Sequence, residues 1–276
     1  MSQVLISARE LAESLLGRNP PSILDCRARL GDGDAGRRLW EAGHVPGSLH
    51  LDLDRDLAAE PGESGRHPLP SREAFTGTLQ RLGISPHVPV VVLDDMGGQL
   101  AAARAWWMLA VWAGHPDVRV LDGGLRAWQE EGGELVLGQE VRPEPSRWQP
   151  SFDDRAIMSA DEVFSGRELK LDARSEERFR GEVEPIDPVA GHIPGAVCRP
   201  SSANLTETGR FKTPEVLDGE LPRDEAVVAY CGSGVTACHN VLAYTIAGRP
   251  LPRLYPGSWS EWIRDPSRPV ARGGLR

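Results

Sequence analysis

The sequence is short of cysteine, of basic charge and of long apolar runs, and each shortage removes a class of function. Four cysteines occur in 276 residues, at positions 26, 198, 231 and 238, with no C-x-x-C pair. They are too few and too irregular for a disulfide framework. Without paired cysteines a structural zinc site is not expected, and no metal or other cofactor is called for. The 31 basic side chains against 40 acidic ones leave a formal charge of -9. An acidic chain with no basic block is a poor ligand for nucleic acid or an anionic membrane. The longest apolar run, "AWWMLAVWAG" (105–114), is about half what a bilayer span needs. The opening "MSQVLISARELAESLL" lacks the basic flank and apolar core of a secretion signal. The expectation is a soluble, cytoplasmic protein with neither nucleic-acid nor membrane partners.

What is present is a repeat. "ISARELAESLL" (6–16) parallels "MSADEVFSG" (158–166), each with S-x-x-E: Ser7 with Glu10, Ser159 with Glu162. That spacing is a capping box and starts a helix. "ILDCR" (23–27) parallels "KLDAR" (170–174), and "GHVPGS" (43–48) parallels "GHIPGA" (191–196). "VPVVVLDDMGG" (88–98) parallels "EAVVAYCGSG" (225–234), and "LDGGLRAW" (121–128) parallels "YPGSWSEW" (255–262). Five matches in one order imply a duplicated domain. The expected division is a first domain over 1–136, an extended Pro-rich linker over 137–152 and a second domain over 153–276.

Short β-branched runs alternate with helical stretches in each copy. Helices are expected over 7–16, 71–82, 99–113 and 124–131, and over 159–165, 213–219, 236–247 and 258–264. Alternation of this kind predicts an α/β fold, with two tandem domains that are each a parallel sheet with helices on both faces. Such sheets bind ligands at the carboxyl ends of their strands. Cys231 follows "AVVAY" and falls at such an end.

The loop "CGSGVT" (231–236) then carries the chemistry. Gly232 and Gly234 let several backbone N–H groups face one centre. The following helix adds its unpaired N–H groups and positive dipole end. A thiol over that cradle is stabilised as thiolate. A buried inert cysteine is the plainest rival, and the flanking glycines argue against it. Gly232-x-Gly234-x-x-Ala237 also fits a dinucleotide loop. It lies too late in its domain, and no acidic residue follows in "GRPLPRLY" (248–255). A cysteine phosphatase needs an arginine six residues on to clamp phosphoryl oxygens, and residue 237 is alanine.

Taken together, "CGSGVT" after a strand, two "GH[VI]PG" segments and two "DGG/PGS…W" segments resemble the two-domain rhodanese family of sulfurtransferases. The resemblance spans nearly the whole chain. The loop is similar to that of the mercaptopyruvate branch, whereas thiosulfate-preferring relatives carry C-R-K-G-V-T. The resemblance implies that Cys231 takes a sulfane sulfur from a small anionic donor and passes it as a persulfide to a thiol, such as a small thiol or a thioredoxin-like protein, or to cyanide. Thiosulfate as donor, or a persulfide carrier loaded by a partner protein, are the alternatives. The family pattern implies Ser233, His44 and Asp34 for proton handling, with Asp32 the neighbouring alternative to Asp34. It implies Arg178 of "EERFRG" for the donor carboxylate, and Gly232, Gly234, Val235 and Thr236 for the rest of the binding loop. Relatives place a second arginine where this chain has Ile186, a departure that Arg174 or Arg180 could offset. The first copy is expected to be inactive, with Asp95 standing where the second has Cys231. Cys26, Cys198 and Cys238 read as packing residues, as do Trp259 and Trp262.

Overall fold

The computed structural model describes residues 3–141, 143–224 and 226–274. The chain divides into two compact units, one formed by residues up to 59, 70–153 and 207–211, the other by 60–69, 154–206 and 212 onward. This differs from the simple halves expected above. The segment 137–152 groups with the first unit. It is tied there by Ser146, whose N–H donates to the Gln80 carbonyl, and by Gln80 Nε2, which donates to the Trp148 carbonyl. Conversely, residues 60–69 group with the second unit.

In the first unit the elements run β1 (Leu5–Ile6), α1 (Ala8–Leu15), β2 (Ser22–Asp25), α2 (Ala35–Ala42), β3 (Leu49–His50), α3 (Arg72–Arg81), β4 (Val90–Leu93), α4 (Ala102–Trp106), β5 (Val118–Leu121) and α5 (Gly124–Glu130). The sheet is parallel in the order β1-β5-β4-β2-β3. Ile23, Val91 and Leu93 point to one face, where they pack with Leu11 of α1 and Leu125 and Trp128 of α5. Period-two alternation turns their neighbours Leu24, Val90 and Val92 to the other face, and all three are buried. The helix expected over 99–113 is α-helical only to Trp106, then a π-helix over Trp107–Trp112. Nothing in the packing accounts for that change of pitch. The short α2 carried no sequence signal above and was not expected.

In the second unit come α6 (Ala160–Ser165), β6 (Leu169–Asp172), α7 (Glu176–Arg180), β7 (Val197–Cys198), α8 (Pro214–Glu220), β8 (Val227–Tyr230), α9 (Ala237–Ile246), β9 (Arg253–Leu254) and α10 (Ser258–Trp262). The parallel order is β7-β6-β8-β9, the first sheet without its outer strand. A single parallel bridge, Ile157 to Leu254, stands in that strand's place. Val228 and Tyr230 pack with Val163, Trp259 and Trp262 on one face. Leu171 and Val227 pack with Leu217 of α8 and Ala243 and Tyr244 of α9 on the other. Each fully buried aliphatic side chain removes apolar surface from water for about 1.5–3 kcal/mol. Two such layers fix β8, and so fix where its carboxyl end delivers Cys231.

Candidate active site

Cys231 is the first residue after β8 and is 2% exposed. Its backbone is held from the α10 side. The Cys231 N–H donates to Ser258 Oγ at 3.1 Å, the Trp259 N–H to the Cys231 carbonyl at 3.0 Å and the Ser260 N–H to the Gly232 carbonyl at 2.9 Å. Ser258 sits at φ 53°, in the left-handed region that non-glycine residues avoid. Its hydroxyl, which also donates to the Tyr255 carbonyl, locks the start of the loop. Gly234 has φ 77°, and a Cβ there would strike the Pro256 carbonyl. The loop must therefore be glycine at 234 to turn back toward α9. Among the described residues, the N–H groups of Gly232, Ser233, Val235 and Thr236 have no hydrogen-bond acceptor. They form a cradle of free donors beside the sulfur, of the kind that binds anions.

A second layer lies on this loop, from residues 65–67. Gly65, at φ 102°, lets that segment approach closely, because a Cβ there would come within 2.7 Å of Ser260 Oγ and 2.8 Å of the Gly257 carbonyl. The Arg66 N–H donates to Ser260 Oγ at 3.1 Å. His67 Nδ1 and Ser233 Oγ share a hydrogen bond of 2.7 Å. The Arg66 guanidinium reaches over Gly232, where Nη2 would lie 2.8 Å from a Cβ, and both Arg178 Nη atoms would lie 3.6 Å from it. Glycine at 232 thus leaves room for two guanidinium groups next to the cysteine.

Those two arginines are already engaged by acids. Arg66 pairs with Asp187 Oδ1, and Arg178 Nη2 donates to Glu184 Oε1 at 2.7 Å and Asp187 Oδ2 at 3.2 Å. Glu184 is also reached by Arg174, which is buried on Asp172 and the Gly191 carbonyl and stacked 4.8 Å over Trp259. Burial pushes Glu184 up, but the Arg178 hydrogen bonds and charge together with the N–H groups of Asp187 and Ile186 hold its carboxyl below the usual range. For Asp187 burial prevails and its carboxyl is raised.

The expected residues divide accordingly. Cys231, Gly232, Ser233, Gly234, Val235, Thr236 and Arg178 all belong to or face one loop. Ser233 meets His67 where His44 was expected. His44 is fully buried in the first unit, stacked on Trp40 at 4.3 Å, with Nδ1 2.7 Å from the Trp40 carbonyl. Its repeat partner His192 does the same in the second unit, stacked on Phe179 at 3.7 Å with Nδ1 2.7 Å from the Phe179 carbonyl. The "GH[VI]PG" histidine therefore pins its own domain in both copies. Asp34 precedes α2 with no capping bond and forms a solvent-exposed ion pair with Arg55, while Asp32 pairs with Arg38. Ile186 is half exposed, and its backbone N–H donates to Glu184. Arg180 pairs with Glu176 and Glu182 at the surface. Sequence reasoning missed Arg66, His67, Glu184, Asp187 and Ser258. Only "GRHPLP" (65–70), a His and an Arg beside a glycine, hinted at any of them.

The other thiols are packed away. Burial drives the Cys26 thiol well above its usual range and the Cys198 thiol up to about 12. Cys238 Sγ donates to the Gly234 carbonyl at 3.4 Å. Among the described residues no group of three or more His, Cys, Asp or Glu side chains could hold a metal ion, and no helix is long and apolar enough to cross a membrane.

The first copy needs one correction. Strand register pairs Asp25 with Leu93 and Asp172 with Tyr230, so the residue after Leu93 matches Cys231. The Leu125 N–H donates to the Asp94 carbonyl as the Trp259 N–H does to that of Cys231. The counterpart of Cys231 is thus Asp94, and Asp95, paired with Arg29, matches Gly232.

The rhodanese-like domain profile matches twice, over residues 7–131 and 160–265. A Pseudomonas aeruginosa protein named "Probable 3-mercaptopyruvate sulfurtransferase" is 49% identical over 286 residues, covering 99% of this chain and 99% of that protein. A Mycobacterium tuberculosis protein provisionally named thiosulfate sulfurtransferase SseB is 44% identical over 282 residues, covering 98% of each. The solved 3-mercaptopyruvate sulfurtransferase from Leishmania major superposes with a TM-score of 0.85 at 30% identity, covering 96% of this chain and 76% of that one. With a duplicated parallel sheet and a cysteine loop at the end of the second, this chain belongs to the rhodanese family of sulfurtransferases.

Proposed function

We propose that the chain transfers sulfur from 3-mercaptopyruvate through a persulfide on Cys231. The observation that carries the choice of donor is the 2.7 Å hydrogen bond between Ser233 and His67 beside that cysteine. The Cys231 thiolate attacks the donor sulfur and forms an S–S bond. The donor's C–S bond breaks, and its electron pair stays with carbon as the enolate of pyruvate. That enolate takes up a proton, and a serine–histidine pair is suited to deliver one. Thiosulfate releases sulfite instead, which needs no proton. In the second step an acceptor thiolate attacks the outer sulfur and carries it away, restoring the Cys231 thiolate. The sequence of events is covalent and ping-pong.

In this reading His67 takes the role that the sequence suggested for His44, and Arg178 faces the donor carboxylate. Gly232, Ser233, Val235 and Thr236 offer their N–H groups to the anionic sulfur. The first copy is inactive because an aspartate accepts no sulfane sulfur. Thiosulfate remains the second reading, favoured by the two guanidinium groups over Gly232. Intact-mass measurement after incubation with each donor tests the proposal. One added sulfur that maps to Cys231, with a higher kcat/KM for mercaptopyruvate, is expected. Faster loading from thiosulfate would reverse the assignment, and loading only from a partner desulfurase would make the protein a carrier.

A further inference from the structure

Two guanidinium groups converge on Gly232. One is Arg178. The other is Arg66, which comes from the 65–67 segment and not from the segment around residue 186. Asp187, adjacent to Ile186, spans both: Oδ1 pairs with Arg66 and Oδ2 lies 3.2 Å from Arg178 Nη2. The Asp187 side chain is 3% exposed, whereas Arg66 is 27% and Arg178 17% exposed, so the two cations can be reached from outside while the acid between them is covered. A carboxylate bridging two arginines beside the reactive sulfur has the chemistry of the donor's own carboxylate.

We propose that Arg66 is the second donor-binding arginine of this chain, and that Asp187 is a resident carboxylate which the donor displaces from Arg66 on binding. This rests on the reading of a carboxylate-bearing donor. Arg178 keeps its two bonds to Glu184 throughout, so the exchange needs only Arg66 to change partners. Arg66 is free to do so because Gly232 presents no side chain against it. Asp187 then acts as a selectivity element. A donor must offer Arg66 a better geometry than Asp187 does, which a planar carboxylate in a bidentate pairing can provide and a tetrahedral sulfonate end matches less well.

The test sets two substitutions against each other. If the Arg66–Asp187 pair is only a strap, Arg66→Gln and Asp187→Asn remove the same bond and act in the same direction. If the proposal holds, they act in opposite directions. Pyruvate is the probe, titrated calorimetrically into the full-length Cys231→Ser protein so that no turnover intervenes. Arg66→Gln is expected to weaken binding about tenfold, the value of one charge-assisted pair. Arg66→Lys should recover part of the loss, and Asp187→Asn should tighten binding several-fold. With Cys231 intact, KM for mercaptopyruvate should follow these shifts while kcat changes less. Parallel shifts in the two variants, or an unchanged affinity in Arg66→Gln, would overturn the proposal. Should Arg66→Gln fail to fold, Asp187→Asn decides alone, and unchanged or weaker binding rejects it. A wild-type protein that gains no sulfur from mercaptopyruvate breaks the donor reading. One that does, with the two variants moving together, breaks only this inference.

Discussion

The loops at the ends of β4 and β8 are the same device used in two ways. In the first, Asp94 stands at the cysteine position and turns its carboxylate into its own loop. Its Oδ1 accepts from the N–H groups of Met96 at 2.9 Å and Gly98 at 2.8 Å, and its Oδ2 from Ala102 at 3.3 Å. Burial still raises its carboxyl, against the pull of those three donors. In the second, a short thiol replaces the acid, and the N–H groups of Ser233 and Val235, which stand where those of Met96 and Gly98 do, face no protein acceptor. The surrounding frame is otherwise common to both. Arg27 grips Asp25 and the Gly43 carbonyl just as Arg174 grips Asp172 and the Gly191 carbonyl, each last bond 2.7 Å long. The comparison teaches that the cradle is a property of the fold. The second copy differs in that Arg66 and His67 lie over the loop.

The largest effect should come from exchanging the two loop residues. Cys231→Ser is expected to reduce sulfur transfer to background, because a hydroxyl forms no persulfide. Adding Asp94→Cys to that protein should not restore transfer, since no described residue brings the first loop a serine–histidine pair. That second change should also destabilise the first unit by several kcal/mol, because it strands buried N–H groups at about 1–3 kcal/mol each. Recovery of even about 1% of wild-type turnover in the double variant, measured as cyanide-dependent thiocyanate release, would break the comparison.

The histidines give the next effect. His67→Asn is expected to lower kcat/KM for mercaptopyruvate by about 100- to 10,000-fold. The loss should be smaller with thiosulfate, whose leaving group needs no proton. His44→Asn and His192→Asn should leave transfer within about threefold and each cost about 1–3 kcal/mol of stability in denaturant unfolding, as a lost buried hydrogen bond and ring stack would. Equal penalties at 44 and 192 would sharpen the view that the "GH[VI]PG" motif is structural in both copies. A large loss of turnover in His44→Asn with His67→Asn active would reverse the assignment.

The expectation of His44 came from the family pattern and not from the repeat. Repeated features were legible because the same physics acts twice: the capping boxes, the strands that end in Asp, the glycine turns and the cysteine at a strand end all emerged from matching the copies. Pairing the copies says nothing of where a long loop lands. Arg66 and His67 are far from Cys231 in the chain, and the close approach of Gly65 to Ser260 that brings them onto the loop has no local signature. Asp187 and Glu184 read as ordinary surface acids until the fold pairs them with arginines. The shift from Asp95 to Asp94 is a one-residue slip. Two adjacent aspartates permit it in a sequence match, whereas strand register does not, since one step reverses the face of every side chain.

The smallest effect tests whether the frame is equal in energy as well as in shape. Ser7 Oγ accepts from the Glu10 N–H at 3.2 Å, and Glu10 accepts from the Ser7 N–H at 2.8 Å. Ser159 and Glu162 repeat this at 3.3 Å and 2.7 Å. Ser7→Ala and Ser159→Ala should each cost about 1 kcal/mol. The backbone and hydroxyl bonds from each serine hold Glu10 and Glu162 below the ordinary carboxyl range. A carboxyl lowered in the folded state stabilises above its unfolded pKa, and that contribution fades as the pH falls through the folded value. Both boxes should therefore weaken together below about pH 4. Urea unfolding of the two variants at neutral and acid pH measures this. Equal losses would mean that the cap sets the energy wherever it sits. A larger loss in α6, which has six residues against eight in α1, would mean that the shorter helix depends more on its first turn.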